Sequence, residues 1–487
     1  MKEIIDVAWP IIQEWYWVPL SILYLGVIST ILIENRNPTK TIAWVLVIIF
    51  LPIVGIILYY LFGQKFKKER RFRRISEVQS ARITAELNQL EPKIQDSLKQ
   101  IRRDIGDLSR VYYYLRHEQV CFPSLKNQVT LLQNGEEKFA HMLQSLQQAK
   151  HFIHMEYYIF EHDEIGSKVM SILEAKAKEG VAVRLLVDDF GSSSIVRYHK
   201  KHPSTIQFQA FLPVTFTSLA NSNYRNHRKI CIIDGVSAYV GGINIADNYS
   251  NPNQDGVYWR DTSLHIRGTS VGLLQLHFWT LWNETDADSF PLDEHYLKRD
   301  VAVAGNATVS FAASDPGSAA PYNMEALLIA IAAAKHKIQL CTPYYIPSPE
   351  LETALMVAAA AGVSVELMVP SKGDSWIVQH ASFSFLKPLL QRGVKVHLYE
   401  KGFIHAKTVN IDDTMLFVGT VNLDTRSFYI NYEIAAVVAD ASLGLQMSAS
   451  FAKDVTDCRL LTPRIWSARS RWKRGLDSLC RLLAPLL

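Results

Sequence analysis

The sequence predicts an α/β protein, with two tandem α/β domains built on mixed sheets behind an N-terminal hairpin of apolar helices. Three observations predict it. One set of six residues occurs twice at the same spacing, in Asn226–Asn244 ("NHRKICIIDGVSAYVGGIN") and in Ile404–Asn422 ("IHAKTVNIDDTMLFVGTVN"). Strand-like and helix-like segments precede both copies in the same order, which marks an internal duplication. Two apolar runs, 17–33 and 42–62, stand ahead of both halves.

The apolar runs come first in the chain. A length of 487 residues suits two or three domains, and 48% hydrophobic against 20% charged residues leaves an apolar excess that these runs absorb. The second run carries no charge and is long enough to cross a bilayer. The first reaches that length with Trp15 and Tyr16 at the interface. The link between them, "ENRNPTKT", is short, so residues 1–64 are expected to form a transmembrane hairpin. A cleaved signal peptide fits poorly, because "MKEIIDVAWP" mixes acids with its one Lys and no small-residue cleavage site follows. Seven basic residues lie in Lys65–Arg74 ("KFKKERRFRR"), against Arg36 and Lys40 in the loop. That bias places the rest of the chain in the cytoplasm, with the basic run beside anionic headgroups. The five cysteines are scattered without a C-x-x-C pair, so neither a disulfide framework nor a zinc site is indicated.

Residues 65–110 are charged and periodic, with Ile75, Val78, Leu87, Leu90 and Ile94 among polar neighbours, and read as a basic helical linker near the membrane. The first α/β domain is expected over 111–300 and the second over 301–487. "AKHFIHMEYYIF" (Ala149–Phe160) is echoed by "AKHKIQLCTPYYIP" (Ala334–Pro347), and "GVAVRLLV" (Gly180–Val187) by "GVSVELMV" (Gly362–Val369). Each half therefore reads helix–strand–helix–strand and then a hairpin carrying the repeated set, a pattern of mixed sheets buried on both faces. The tail, Pro463–Leu487, is basic first and apolar later. It reads as an amphipathic helix at a membrane interface, the alternative being a helix docked on the domain.

The repeated set comprises His227, Lys229, Asp234, Gly241, Gly242 and Asn244, then His405, Lys407, Asp412, Gly419, Thr420 and Asn422. From each His the offsets are 2, 7, 14, 15 and 17. On a strand, residues two apart share a face, so each His projects with its Lys. Asp234 and Asp412 fall at an odd offset, and Asp234 stands at a strand-ending Asp-Gly turn, a position for orienting neighbours rather than attacking. The glycines allow close backbone approach, and Asn244 and Asn422 add amides for substrate. Singly, each feature has a bland source, such as a solvated strand end, a turn or a loop amide. Their joint recurrence outweighs that. Two imidazoles, two ammonium groups and two amides in one cleft suit a phosphodiester. Lys and Asn hold the non-bridging oxygens, one His attacks phosphorus, and the other protonates the leaving oxygen. No step demands a metal or another cofactor, and no nucleotide-binding glycine loop is present.

The two stretches resemble the duplicated H-x-K-x4-D motif of the phospholipase D superfamily. "NRNPTKTIAW", "TPYYIPS", "GTVNLDTRSF" and the terminal "APLL" are similar, within it, to the bacterial cardiolipin synthases. The resemblance covers nearly the whole chain and implies two phospholipase D-like domains in a multi-pass protein of the bacterial inner membrane, with its catalytic domains cytoplasmic. It implies transfer of a phosphatidyl group from one phosphatidylglycerol to another, giving cardiolipin and glycerol through a phosphohistidine. His227, Lys229, Asp234, His405, Lys407 and Asp412 would form the catalytic set. The residues leave open which His attacks; the resemblance favours His227. It also implies that an acid near Glu433 holds a catalytic His, with Asp261 doing the same for the first half despite a different offset (261−227=34 against 433−405=28). Phospholipase D or phosphatidylserine synthase activity remains open, since only the acceptor differs. A nuclease is disfavoured, because the basic residues cluster beside the apolar runs rather than along a groove with stacking platforms. A non-enzymatic scaffold would not need two intact motifs.

Overall fold

The computed structural model describes residues 15, 17–33, 38–59, 91–118, 121–213, 223–251, 256–285, 289–291, 296 and 303–484. By contacts the chain divides into two compact units, 1–72 with 215–223, and 73–214 with 224–487. The basic run Lys65–Arg74 lies outside the described residues.

The first unit contains helices Trp17–Ile33, Pro38–Phe50 and Pro52–Leu58. The second apolar run is therefore two helices rather than the one expected. Leu51 leaves the helical region (φ −127°, ψ 71°) because Pro52 lacks an N–H and its ring excludes an α conformation from the residue before it. The chain then turns back so tightly that a Cβ on Gly55 would stand 2.7 Å from the Val47 carbonyl oxygen. Among the described residues no helix is long and apolar enough to cross a membrane. The 17-residue first helix measures about 25 Å, against a hydrocarbon core of about 30 Å. Val27, Ile31, Ile48, Ile56 and Tyr59 pack together, while Ile22, Leu25, Ile33, Ile42, Phe50, Ile53 and Ile57 remain exposed.

The second unit carries the duplication. Its first half supplies β1 (Ser124–Gln133), β2 (Phe152–Tyr157), β3 (Ala182–Asp188), β4 (Gln207–Phe211), β5 (Lys229–Ile233), β6 (Ser237–Gly241), β7 (Trp259–Arg260) and β8 (Thr262–Arg267). Its second half supplies β9 (Ala307–Ser314), β10 (Lys337–Cys341), β11 (Tyr345–Ile346), β12 (Ser364–Pro370), β13 (Lys395–Tyr399), β14 (Phe403–Ile404), β15 (Thr408–Ile411), β16 (Met415–Gly419), β17 (Leu423–Asp424), β18 (Glu433–Ala439) and β19 (Cys458–Leu461). Fifteen of these form one sheet in the order β19-β13-β12-β10-β15-β16-β18-β9-β1-β8-β6-β5-β2-β3-β4. Read outward from the β9–β1 junction, the order is the same in both directions, with β19 added at one edge. The duplication has thus become a pseudo-two-fold through one continuous sheet. The junction is antiparallel, with Asn127 opposite Ala307. β2, β9 and β18 are buried along their whole length, as expected of strands covered on both faces.

Of the expected linker 65–110, residues 65–90 lie outside the described residues, and helix 91–105 buries Ile94, Leu98 and Ile101 in a core shared with Tyr112, Leu327 and Ile331. Its apolar stripe thus serves tertiary packing. The tail helix Arg471–Arg481 is docked on one face. Buried Asp477 pairs with His380 (2.7 Å) and Arg469 (2.8 Å), and Cys480 is buried beside it. All five cysteines are free thiols.

Candidate active site

Both motif pairs sit where β2 and β10 end. Lys229 begins β5 opposite Tyr157 of β2, and Lys407 immediately precedes β15, which runs antiparallel to β10. The backbone entering each motif is held by the other half. The His227 amide donates to the Tyr432 carbonyl (3.0 Å) and the His405 amide to the Arg260 carbonyl (2.7 Å). β14 pairs in parallel with β7, and Asn226 bridges to Tyr432. In each case the next residue is an acid, and it reaches the same His. Glu433 receives the His227 Nδ1 hydrogen with its oxygens at 3.0 and 2.9 Å. Asp261 Oδ2 accepts from His405 Nδ1 at 2.7 Å.

The sequence expectation paired each acid with the His of its own half. The structure crosses them: Asp261 of the first half holds His405, and Glu433 of the second holds His227. The unequal offsets have a plain origin. Asn244 and Asp261 are 17 residues apart, whereas Asn422 and Glu433 are 11 apart, because the first half carries a longer loop containing the short helix Asp247–Tyr249. Both acids occupy the same topological position, at the start of β18 or directly before β8.

Each carboxylate fixes its imidazole with hydrogen on Nδ1, leaving Nε2 with a lone pair. Burial pushes the His227 pKa down to about 4 and that of His405 down to about 3, against the pull of the carboxylates. Burial raises Glu433 and Asp261, but for Glu433 the influences of His227, Lys229 and Thr420 win, and for Asp261 those of Lys407 and His405, so both stay below the usual carboxylate range. The cleft's own groups are therefore neutral imidazoles and ionised acids. Lys229 and Lys407 donate from Nζ to the carbonyl of their own motif's His, at 2.6 and 2.5 Å. Burial drives the Lys229 pKa well down and that of Lys407 to about 8. Lys407 lowers Lys229 further through like charge, and both feel Glu433 and Asp261, so the two motifs share one electrostatic site. Two buried ammonium groups with one backbone acceptor each are costly without an anion, and a phosphodiester supplies it.

The remaining sequence candidates divide. Asp234 and Asp412 are outside the cleft, at the far ends of β5 and β15. Asp234 accepts the backbone amides of Lys150, His151 and Phe152 (2.7–2.9 Å), and Asp412 those of Lys335, His336 and Lys337 (2.7–2.8 Å). Their positive φ values, 54° and 52°, place them in tight turns. They staple each motif hairpin to the neighbouring strand, and the seven-residue separation from His, about 23 Å along a strand, keeps them from the chemistry. Asp234→Ala is therefore expected to cost about 1.5–3 kcal/mol of stability, with turnover per folded enzyme within about twofold. Denaturant unfolding with an activity assay checks both.

Asn244 is committed internally, accepting from the Ile159 amide (3.1 Å) and donating to the Tyr249 hydroxyl (2.5 Å). Lys138 Nζ holds its carbonyl from below (3.4 Å). Asn422 differs, since its buried side-chain oxygen has no protein donor among the described residues. Gly242 and Thr420 of the repeated set acquire a role here. Thr420 stands where the first copy has Gly242, and its hydroxyl donates to Glu433 (2.5 Å). At Gly242 an added Cβ would lie 2.2 Å from Asp261 Oδ1. The one mismatch between the copies thus matches the difference between a Glu and a shorter Asp. Gly242→Ala is expected to displace Asp261 and to lower turnover about tenfold or more, which steady-state kinetics checks; an unchanged rate would show that the carboxylate has room to move. The walls differ too. His405 is ringed by Trp259, Tyr249 and Phe403 at 5.3, 5.7 and 5.8 Å, whereas His227 faces Tyr158 at 5.0 Å, near the Arg225–Asp188 ion pair. Such aromatics carry no short-range sequence signature.

Comparison with known proteins places the chain in a family. The family model described as "Cardiolipin synthase, PLD-like domain" matches residues 142–282 and 327–455, once for each half. A "Phospholipase_D-nuclease N-terminal" model matches residues 22–64. A cardiolipin synthase of Alkalihalophilus pseudofirmus is 36% identical over 473 residues, covering 96% of this chain and 92% of that protein. The major cardiolipin synthase ClsA of Bacillus subtilis is 34% identical, covering 93% and 95%. Among solved structures, the phosphatidylserine synthase of Haemophilus influenzae superposes with a TM-score of 0.60 at 16% identity, over 78% of this chain and all of that one, a likeness of fold. With both halves matched by one family model and relatives alike along nearly their whole length, the chain belongs to the cardiolipin synthase family of PLD-like proteins.

Proposed function

We infer that the protein is a cardiolipin synthase, a phosphatidyltransferase that joins two phosphatidylglycerols and releases glycerol. The observation that carries the mechanism is the crossed pairing of two buried histidines with two carboxylates between two lysines. His227 Nε2 attacks the phosphorus of the first phosphatidylglycerol, and the bond from phosphorus to the headgroup glycerol oxygen breaks. That oxygen takes a proton from His405, and glycerol leaves. The headgroup hydroxyl of a second phosphatidylglycerol then gives its proton to His405 and attacks phosphorus, and the bond to His227 breaks. One phosphodiester replaces another, so no nucleotide is consumed.

The choice of His227 as nucleophile is supported by the walls. The His405 ring lies within aromatic side chains, and His227 is the more open of the two. His405 needs a proton to act first as acid, and the substrate supplies the reason to acquire it. A phosphate charge about 4 Å away contributes about 4 kcal/mol at an effective dielectric constant of about 20, roughly a thousandfold in the proton equilibrium. Lys229 and Lys407 hold the non-bridging oxygens, and the side-chain oxygen of Asn422 is suited to accept from a glycerol hydroxyl.

The pH dependence follows. Attack needs neutral His227, so kcat/KM is expected to fall below about pH 4 as that ring gains a proton. His405 must gain its proton with the substrate, so kcat/KM is expected to decline as pH rises above about 4, and more steeply through about 8, where Lys407 loses the charge that holds the phosphate. Bound phosphate favours the ammonium, so the alkaline limb of kcat should lie higher than that of kcat/KM. Coincident alkaline limbs would remove Lys407 from phosphate binding.

The exposed apolar face of the first unit supports embedding it in the bacterial inner membrane, and the seven basic residues after it support a cytoplasmic catalytic unit. A reporter fused after Leu487 should behave as cytoplasmic; periplasmic reporter activity there would reverse the topology. The reaction itself is tested by supplying purified protein with phosphatidylglycerol alone. Cardiolipin plus glycerol is expected. Phosphatidic acid plus glycerol would make the protein a phospholipase D.

A further inference from the structure

The cleft opens at the ends of β3 and β12, and large apolar side chains stand exposed around that opening. Phe190 (67% exposed) lies two residues beyond Asp188, whose carboxylate accepts the amide of Asn226, the residue before His227 (3.0 Å). Trp376 (57%) and Ile377 begin the helix that follows β12. Val257 (64%) adjoins Tyr258, whose carbonyl accepts from Phe403 (2.8 Å) on the ladder leading to His405. The tail helix adds to this rim. It runs parallel to helix Trp376–Ser384, because Asp477 meets His380 and Arg481 lies over the Phe385 ring at 4.4 Å. Carrying that register one turn back brings Trp472, 90% exposed, level with Trp376. Exposed Arg471, Lys473 and Arg474 flank Trp472, and Lys372 lies on the loop before Trp376. The carboxylates of this region are Asp189, beside Phe190, Asp374, which accepts from the Tyr344 hydroxyl (2.5 Å), and Asp477, buried in its ion pairs, against the basic Lys372, Arg469, Arg471, Lys473 and Arg474.

We propose that this rim, formed by Phe190, Val257, Trp376 and Trp472 with the basic residues around Trp472, docks the catalytic cleft onto an anionic phospholipid surface. Tryptophan and phenylalanine favour the headgroup boundary, where an amphipathic ring is half wetted, and lysine and arginine beside them meet lipid phosphates. A free strand end crowded with exposed apolar side chains has no other cover among the described residues, and its net positive charge selects an anionic partner. Headgroups of lipids beneath the rim then reach the two histidines while their acyl chains stay in the bilayer. The proposal rests on the lipid-transfer reading of the cleft and adds the surface by which substrate is presented.

The test compares one enzyme on two forms of substrate. In the full chain, Phe190→Ser, Trp376→Ser and Trp472→Ser are combined and assayed on phosphatidylglycerol vesicles and on a short-chain, monomeric phosphatidylglycerol. Turnover on vesicles is expected to fall about tenfold or more, with turnover on the monomer within about twofold. Unchanged turnover on vesicles, or equal loss on both substrates, would overturn the proposal. Wild-type enzyme inactive on both forms would instead overturn the lipid-transfer reading. A second measurement needs no turnover. A fluorophore on Trp472→Cys in vesicle-bound enzyme should be quenched by lipids labelled at the headgroup. One on Glu179→Cys, on the exposed turn that precedes β3 at its opposite end, should not. Equal quenching at the two positions would also overturn the proposal.

Discussion

Asp261→Asn and Glu433→Gln should each lower turnover about 10^3–10^4-fold, as the loss of a carboxylate that orients a catalytic imidazole does in other His–carboxylate sites. The two losses should differ in kind. Asp261 holds His405, the proposed acid, so a phosphatidyl donor carrying a p-nitrophenol leaving group, which departs with little help from a proton, should restore glycerol-independent release in Asp261→Asn. Glu433 holds His227, the proposed nucleophile, so the same donor should leave Glu433→Gln inactive. If each acid served the His of its own half, the rescue would fall on Glu433→Gln instead. Release of p-nitrophenol, followed by its absorbance, separates the two arrangements.

Lys229→Met and Lys407→Met should each cost about 3–4 kcal/mol of transition-state stabilisation, or about 10^2–10^3-fold in kcat/KM, the scale for removing one preorganised donor. Methionine keeps the buried methylenes in place, so the change removes charge more than volume. The effect on kcat should exceed the effect on KM, because negative charge on the non-bridging oxygens grows as the phosphorane forms. Near-normal kcat in either variant would place that lysine outside the site. Asp234→Ala is the matched control. It alters the same motif but acts on strand attachment.

Much of this site is legible in the sequence, for identifiable reasons. His227, Lys229, His405 and Lys407 are legible because a strand's two-residue period puts each pair on one face and because the duplication doubles the signal. The pseudo-two-fold sheet follows from the echoed segments around Phe152–Tyr157 and Lys337–Cys341. The crossing of Asp261 and Glu433 is not legible, since offset along the chain says nothing about which half of a closed pair an acid faces. Only the ladder of Arg260 to His405 and of Tyr432 to His227 reveals it. Asn244 and Asn422 look equivalent by spacing, yet Tyr249, on an insertion present in one half, occupies the first amide. The Leu51–Pro52 break could be read from the proline, but hydropathy alone runs through it. Helix 91–105 carries a periodic apolar stripe that suits a membrane surface or a core equally; its burial against Leu327 and Ile331 decides for the core.

Two halves build one site in which each His is held by the opposite half, and the proposed mechanism puts the phosphatidyl group on His227. The most direct measurement traps the intermediate. Asp261→Asn and Glu433→Gln enzymes are mixed with the p-nitrophenyl donor, quenched in alkali, digested and analysed by mass spectrometry. A phosphatidyl adduct is expected on His227 in Asp261→Asn, accumulating because His405 no longer activates the acceptor, and no adduct in Glu433→Gln. An adduct on His405, or one that forms in Glu433→Gln and is lost in Asp261→Asn, would contradict that mechanism.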